Sequence, residues 1–499
     1  MELKKKITAN IVAQVYMAGT GIIVTPIYLK LMGPEAYGLI GIFTLIQAIF
    51  NILDLGLTPT LARETARARG NEKSKSEYFD ILSAIKKIFI VISISGCLAL
   101  VIGTDFIVNN WLKINQLDKF EVQQALVAIA VCVSLRWMSG LYRASITGFE
   151  EFQWLSYWNI FITTLRFLIV IPILYITEGS FVVFFVYQVA IACLEIYGLA
   201  NKSQRLIRCN LGENNSSRHA NPMQAIRPLM GFSGGVAFTS AIWALITQTD
   251  KIVLSKLLTL SDYGYFSIGV LLASGITVIG GPITSTAIPK LALLYSTQDI
   301  VGMKFIYRKI SQYTSIAVIP ATLILCFFHA QIIEIWTGDS IAAERSGYVL
   351  AFYAAGNCLM TIASLPLLLQ YAEGKLKLHV IGNTLYALIL YPTLVWSVSI
   401  YGISGACWSW LIVNSLSFLF WTPIVHRNFF KNEHFNWLWN DIIKVIFFPF
   451  IVIVTAKIIV PLTDDKLLNS ISIITIYVAA LLFSPIVIKF FSKIILSKF

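Results

Sequence analysis

Runs of about twenty apolar residues, each long enough to cross a ~30 Å hydrocarbon core as a helix, recur from one end of this 499-residue chain to the other. In lipid every backbone N–H and C=O needs an internal partner, so only helices or a closed barrel can span. The strand alternation of an outer-membrane barrel is absent. The fold class is therefore an all-α polytopic membrane protein. Composition agrees, with 57% hydrophobic and 13% charged residues and a mean hydropathy of +0.75.

Spans are expected at roughly 8–31, 37–57, 80–103, 122–147, 155–177, 180–201, 229–256, 262–294, 306–330, 346–371, 378–400, 402–425, 441–461 and 468–490. Fourteen helices place both termini on one side. The net charge of +12 could suggest a nucleic-acid partner. Placement decides otherwise: about 28 Lys and Arg fall in alternate loops and helix ends, and about 7 on the opposite side. That asymmetry puts the N-terminus, with Lys4 to Lys6, in the cytoplasm and excludes nucleic acid as the reason for the basic charge. The first run resembles a signal peptide, but Asn10 and Gln14 interrupt it and it extends to Leu31 without a small-residue cleavage site. It reads as a retained first helix. Seven scattered cysteines, mostly inside spans and without a CxxC pair, give no disulfide framework or zinc site.

An internal repeat organises the chain. Lys30, Leu31, Tyr37, Gly38 and Ile42 align without gaps with Lys256, Leu257, Tyr263, Gly264 and Ile268. At the same offset Thr58, Thr60 and Ala66 meet Thr284, Thr286 and Ala292. Each copy reads as the end of one membrane helix, a tight outer turn and a second helix. The domains expected are a six-helix lobe over 1–201, a cytoplasmic linker over 202–228, a second six-helix lobe over 229–427, and two further helices in 428–499. Both lobes start on the same side, so the repeats are parallel, and a V-shaped pair of lobes with a cavity between them is the expectation. The inner segment 58–79 has basic helical character and is expected on the inner surface.

Ionisable residues within spans are few, and each costs roughly 2.5–3.5 kcal/mol at the bilayer centre on insertion scales. Arg136 and Arg166 lie at one depth, about 16 Å from the cytoplasmic ends of the fourth and fifth helices. Glu195, on the sixth helix about 9 Å deep, suffices to neutralise one of them. A pair of permanently charged guanidinium groups suits phosphate. The alternative is structural: one Arg pairs with Glu195 and the other bonds backbone carbonyls. Arg143, seven residues past Arg136, either extends a basic stripe or is an ordinary positive-inside residue. Asn10 and Gln14 on the first helix, and Ser233, Ser240, Thr247 and Lys251 on the seventh, form polar stripes that suit a wet cavity or close helix packing. Asp250 either binds a coupling ion or pairs with a base. Asp54 reads as a helix-terminal structural residue. Walker A, HExxH and Gly-x-Ser-x-Gly patterns are missing, so neither an enzyme nor a cofactor or metal is expected.

The stretches ILDLGLTPTLARETAR (52–67) and TDKIVLSKLLTLSDYGYFSIG (249–269) resemble the bacterial polysaccharide and O-antigen flippases of the multidrug/oligosaccharidyl-lipid/polysaccharide exporter superfamily. The resemblance covers essentially the whole chain through its plan of six, six and two helices. It implies movement of a polyprenyl-pyrophosphate-linked oligosaccharide from the inner to the outer leaflet of the bacterial inner membrane, often with ion coupling. It also implies membrane lipids and other polysaccharide assembly proteins as neighbours. Arg136, Arg166 and Lys251 are the candidates for the cationic residues that meet pyrophosphate or acidic sugars. The glycine usual in the turn that opens the second lobe is replaced by the run Leu257 to Asp262, a departure in turn geometry. Two other readings compete. A drug or metabolite antiporter for organic cations calls for an acidic cavity, whereas the deep charges here lean basic. A membrane glycosyltransferase or polymerase calls for a long outer catalytic loop, whereas the outer segments 104–121 and 331–345 are short.

Overall fold

A computed structural model describes residues 2–54, 56–69, 72–212, 230–285, 287–374, 377–459 and 466–496. Among them the chain forms helices and one isolated bridge, Lys113 with Thr259. Among the described residues, ten helical stretches are long and apolar enough to cross a membrane. The outer face of the third helix shows why lipid is the right solvent. Val91, Ile94, Leu98 and Ile102 follow one another at helical spacing and are all more than half exposed. Each would favour burial by about 1.5–3 kcal/mol over contact with water.

The chain divides into two compact units, Met1–Gly264 and Tyr265–Phe499. The first contains α1 (Glu2–Ile52), α2 (Leu57–Ala68), α3 (Glu72–Phe106), α4 (Lys119–Gly148), α5 (Phe152–Thr164), α6 (Val170–Ile176), α7 (Phe181–Leu211) and α8 (Met230–Leu257). The linker expected at 202–228 lies outside the described residues from 213 onward, and the side chains of Ser233 and Ser240 are likewise outside them.

Helix α1 is long enough for two crossings and is broken once. Gly33 takes φ 80°, ψ 168°, a backbone region open essentially to glycine alone, and Pro34 then starts the second segment with its φ already suited to a helix. The break falls in the turn expected between 31 and 37. Helix α4 is the centre of the unit and packs against α2, α3 and α7. Its small residues allow this closeness. A methyl group added at Gly148 would sit 2.5 Å from the carbonyl oxygen of Ala62 and from Cβ of Thr65, both on α2. Helix α2 therefore turns Leu57, Leu61, Thr65 and Ala68 inward and leaves Arg63 and Arg67 on its outer side, both paired with Glu64. Its apolar face rests on protein, which refines the expectation of a surface-lying segment.

The second unit is built on α9 (Leu260–Ser285, which crosses the division), α10 (Ile288–Ser296), α11 (Ile300–Phe327), α12 (His329–Thr337), α13 (Ser340–Ala363), α14 (Leu365–Glu373), α15 (Lys377–Leu416), α16 (Thr422–Phe429), α17 (His434–Trp437), α18 (Lys444–Ile459) and α19 (Lys466–Leu496). Gly402, at φ 57°, breaks α15 where the eleventh and twelfth spans were expected to meet. Asn357 ties three helices: it donates to the carbonyl of Ala273 at 3.0 Å and accepts from the Trp410 indole at 3.1 Å. The last two helices join α11 through an apolar cluster of Ile324, Phe328, Ile453, Ile473, Ile476 and Ala480. On α11, Arg308 makes a two-pronged bond at 2.9 and 3.1 Å to Asp441, whose carboxylate is fully buried and also accepts from Gln312.

Candidate functional site

Four of the charged residues singled out in the sequence meet in the first unit. Glu195, on α7, is buried and receives two guanidinium groups. Arg166 reaches one carboxylate oxygen at 2.6 Å and Arg143 the other at 2.5 Å. Arg143 also donates to Asn159 on α5 at 2.6 Å. Arg143 thus joins Arg166 at Glu195. The long side chain carries its charge from α4 to the level of Glu195, a reach that helix depth alone does not reveal.

Arg136 occupies a different position. It lies close enough to Arg166 and Glu195 to interact electrostatically with both. Its guanidinium sits 5.5 Å from the centroid of the Phe43 ring, a cation–π contact worth roughly 0.5–2 kcal/mol. Glu195 is therefore shared between Arg166 and Arg143 rather than between Arg166 and Arg136. Three guanidinium groups surround one carboxylate, and two positive charges are left over.

Arg166 is held by an unusual piece of backbone. Residues Leu165–Ile169 form a π-helical turn between α5 and α6. Such a turn inserts an extra residue and loosens the regular hydrogen-bond ladder. Three successive carbonyls here accept from side chains instead: Leu165 from the Tyr187 hydroxyl at 2.8 Å, Arg166 from the Gln188 amide at 3.1 Å, and Phe167 from the Tyr28 hydroxyl at 2.7 Å. Unpaired backbone groups in a membrane interior are expensive, so Tyr28, Tyr187 and Gln188 make the turn affordable. None of the three stands out in the sequence, because their role depends on the turn. Arg166 Nε and Gln188 Oε1 remain buried with no hydrogen-bond partner among the described residues.

The other expected site residues are placed elsewhere. Gln14 donates to Asn10 at 3.3 Å, and both are exposed on α1. Lys251 folds back along α8, donating to the Thr247 carbonyl at 3.0 Å and to the Gln248 side chain at 3.2 Å. Asp250 is buried and its carboxylate accepts from the Lys251 backbone N–H at 2.8 Å. Asp54 accepts from the Thr58 N–H at 3.2 Å and the Thr58 hydroxyl at 2.5 Å, at the start of α2. That is the helix-terminal role expected of it. Glu35, which the sequence reading passed over, is buried and accepts from the backbone N–H groups of Asn115 and Gln116 at 2.6 and 2.8 Å.

Known proteins resemble this chain in sequence and in fold. Residues 3–294 match the model of a family described as polysaccharide biosynthesis protein. A Shigella flexneri protein provisionally named an O-antigen transporter is 22% identical over 386 residues, covering 76% of this chain and 87% of that protein. Among solved structures, the lipid II flippase MurJ in an inward closed conformation superposes with a TM-score of 0.76 at 13% identity, covering 98% of this chain and 99% of MurJ. An inward-facing MATE multidrug resistance transporter of the MOP superfamily superposes with a TM-score of 0.64 at 13% identity, over 84% and 96% of the two chains. At such identities the structures speak for the fold alone. With a helical fold like those of MurJ and the MATE transporters and a family match over more than half its length, the chain belongs to the polysaccharide biosynthesis protein family.

Proposed function

We propose that this protein is a flippase that carries a polyprenyl-pyrophosphate-linked oligosaccharide, an O-antigen or similar surface-polysaccharide repeat unit, from the inner to the outer leaflet of the bacterial inner membrane by alternating access. The observation that carries the reading is the surplus of cationic charge inside the first unit, where Arg136, Arg143 and Arg166 face the single carboxylate of Glu195. Uncompensated guanidinium groups at membrane depth are costly, and a pyrophosphate dianion supplies the missing charge. Arg136 is the primary contact, since Arg143 and Arg166 already hold Glu195. Lys251, Asn10 and Gln14 belong to the polar walls of the same pathway. Asp250 is the candidate for ion coupling.

The accompanying topology has fourteen crossings, both termini in the cytoplasm, and two parallel six-helix lobes over 1–201 and 229–427 followed by two helices. An organic-cation antiporter is disfavoured by the same surplus, because a cationic cargo would need acid where this chain has base. The test is to delete the protein from its host and identify the lipid-linked glycans by mass spectrometry. One of them should accumulate on the inner leaflet while its polymer disappears from the surface. Unchanged lipid-linked glycans and unchanged surface polymer would overturn the proposal.

A further inference from the structure

The repeat seen in the sequence reappears as a reciprocal contact. Gly38 and Gly264 are equivalent positions of the two hairpin copies, and by the same offset Pro34 is equivalent to Leu260. In the structure a Cβ placed on Gly38 would lie 2.2 Å from the carbonyl oxygen of Leu260. A Cβ placed on Gly264 would lie 2.3 Å from the carbonyl oxygen of Pro34 and 3.2 Å from the backbone nitrogen of Gly38. Each glycine therefore packs on the backbone of the residue four positions before the other glycine, as in an isologous two-fold contact made within one chain. Real Cβ atoms do not approach backbone oxygens this closely, so the contact needs glycine on both sides.

A third segment staples the two ends. Residues 111–116 reach the first hairpin through Glu35, which accepts from the N–H groups of Asn115 and Gln116. They reach the second through Trp111, whose indole donates to the Ser255 hydroxyl at 3.0 Å, and through Lys113, whose ammonium donates to the Leu257 carbonyl at 2.8 Å. The Leu260 N–H in turn donates to the Lys113 carbonyl at 2.9 Å. All of these residues lie in Met1–Gly264.

We infer that these glycines and their staple form a clasp that holds the two hairpin ends together on one side of the membrane and must part once in every transport cycle. The inference rests on the proposed flippase reading, whose topology places this end outside, where the glycan would leave. Parting frees backbone N–H and C=O groups at a helix end, where they face water, and it takes the Trp111 indole off Ser255 along with the staple.

Covalent closure tests it. Lys113 and Thr259 pair in a β-bridge, a geometry whose Cα separation of about 5 Å suits a disulfide. In the double variant Lys113→Cys, Thr259→Cys the reduced protein should support surface glycan export. The oxidised protein, with the bond assigned by mass spectrometry, should lose at least nine-tenths of it and regain it on reduction. Export undiminished with the disulfide fully formed overturns the clasp and leaves the flippase reading intact. If instead the native chain exports no glycan, the flippase reading fails, and the clasp is judged by a cargo-free measurement. Gly38→Ala, or Gly264→Ala where the first does not fold, should increase labelling of Leu260→Cys by an impermeant maleimide roughly tenfold, as the added methyl wedges the ends apart. Labelling no faster than with glycine in place overturns the clasp on its own account.

Discussion

Glu195 and Arg136 sit in one cluster, yet the structure assigns them opposite consequences when changed. Glu195→Gln keeps the shape of the side chain and removes its charge. Arg143 and Arg166, bonded to it at 2.5 and 2.6 Å, then face each other without a counter-ion. Removing one partner of a buried ion pair costs about 3–5 kcal/mol. The Arg143 side chain is 28% exposed and sheds part of its charge to solvent or headgroups, so the lower end, about 3 kcal/mol, applies. Arg136→Gln loses a cation–π contact of ~0.5–2 kcal/mol with Phe43 and is relieved of repulsion from Arg166 and Arg143. Its net effect on stability should fall within about 1 kcal/mol of zero. Its effect on transport should be larger, because a charge-assisted hydrogen bond to phosphate is worth about 1.5–3 kcal/mol, or roughly 10- to 100-fold. The assay compares unfolding midpoints of the detergent-purified variants with surface glycan produced by each in cells. The expected outcome is a stable Arg136→Gln protein with export reduced at least tenfold, and a destabilised Glu195→Gln protein. If Arg136→Gln unfolds as early as Glu195→Gln, or exports at the native level, the assignment of Arg136 as the cargo-facing cation is refuted.

Other outcomes follow from particular contacts. Asp250→Asn should flatten the dependence of transport on a proton or sodium gradient while insertion continues, measured as flux in vesicles with and without the gradient; a dependence as steep as the native one removes Asp250 from coupling. Gly148→Ala should destabilise the protein by about 1–3 kcal/mol, since the new methyl meets the Ala62 carbonyl and Thr65, and an unchanged unfolding midpoint would contradict that packing. Outside the spans, Lys304 holds the Glu433 carboxyl below its ordinary titration range. A depressed acid contributes stability above its unfolded pKa and loses it as pH falls through the folded one. For a partly exposed pair this is worth ~0.2–1 kcal/mol, present at pH 7 and lost below about pH 4. Glu433→Gln should therefore be less stable than the native chain at pH 7 and equal to it in acid, and a gap between them that is the same at both pH values would contradict the ion pair.

The sequence made the helices, the repeat and the deep charges legible because each is a local property. Apolar length marks the spans, constant spacing marks the repeat, and a guanidinium inside a span stands out by its cost. Gly33 and Gly402 even fall where the span boundaries were drawn. What the sequence left open is how side chains from different helices divide one partner. Arg143 had two readings, a basic stripe or a positive-inside charge, and its bond to Glu195 appears only when α4 and α7 lie side by side. The same holds for α2, where a basic amphipathic pattern fits a lipid surface as well as it fits the face of α4. The contact with Gly148 decides between them, and no spacing within α2 announces it. Tyr28, Tyr187 and Gln188 were invisible for a related reason: they answer to backbone carbonyls freed by a turn that no residue type signals.

That turn also sets the phase of everything beyond it. A π turn holds one residue more than the α-helical turn it replaces, and one residue is about 100° of rotation around a helix axis. Deleting a single residue within 165–169 would close the turn to α geometry and swing Arg166 and α6 about that far with respect to one another. Arg166 or the lipid-facing side of α6, where Tyr175 and Ile176 are exposed, would then point the wrong way. A one-residue deletion is thus more damaging here than most substitutions, and insertions or deletions among related chains should avoid these five positions even where the residues themselves are free to vary.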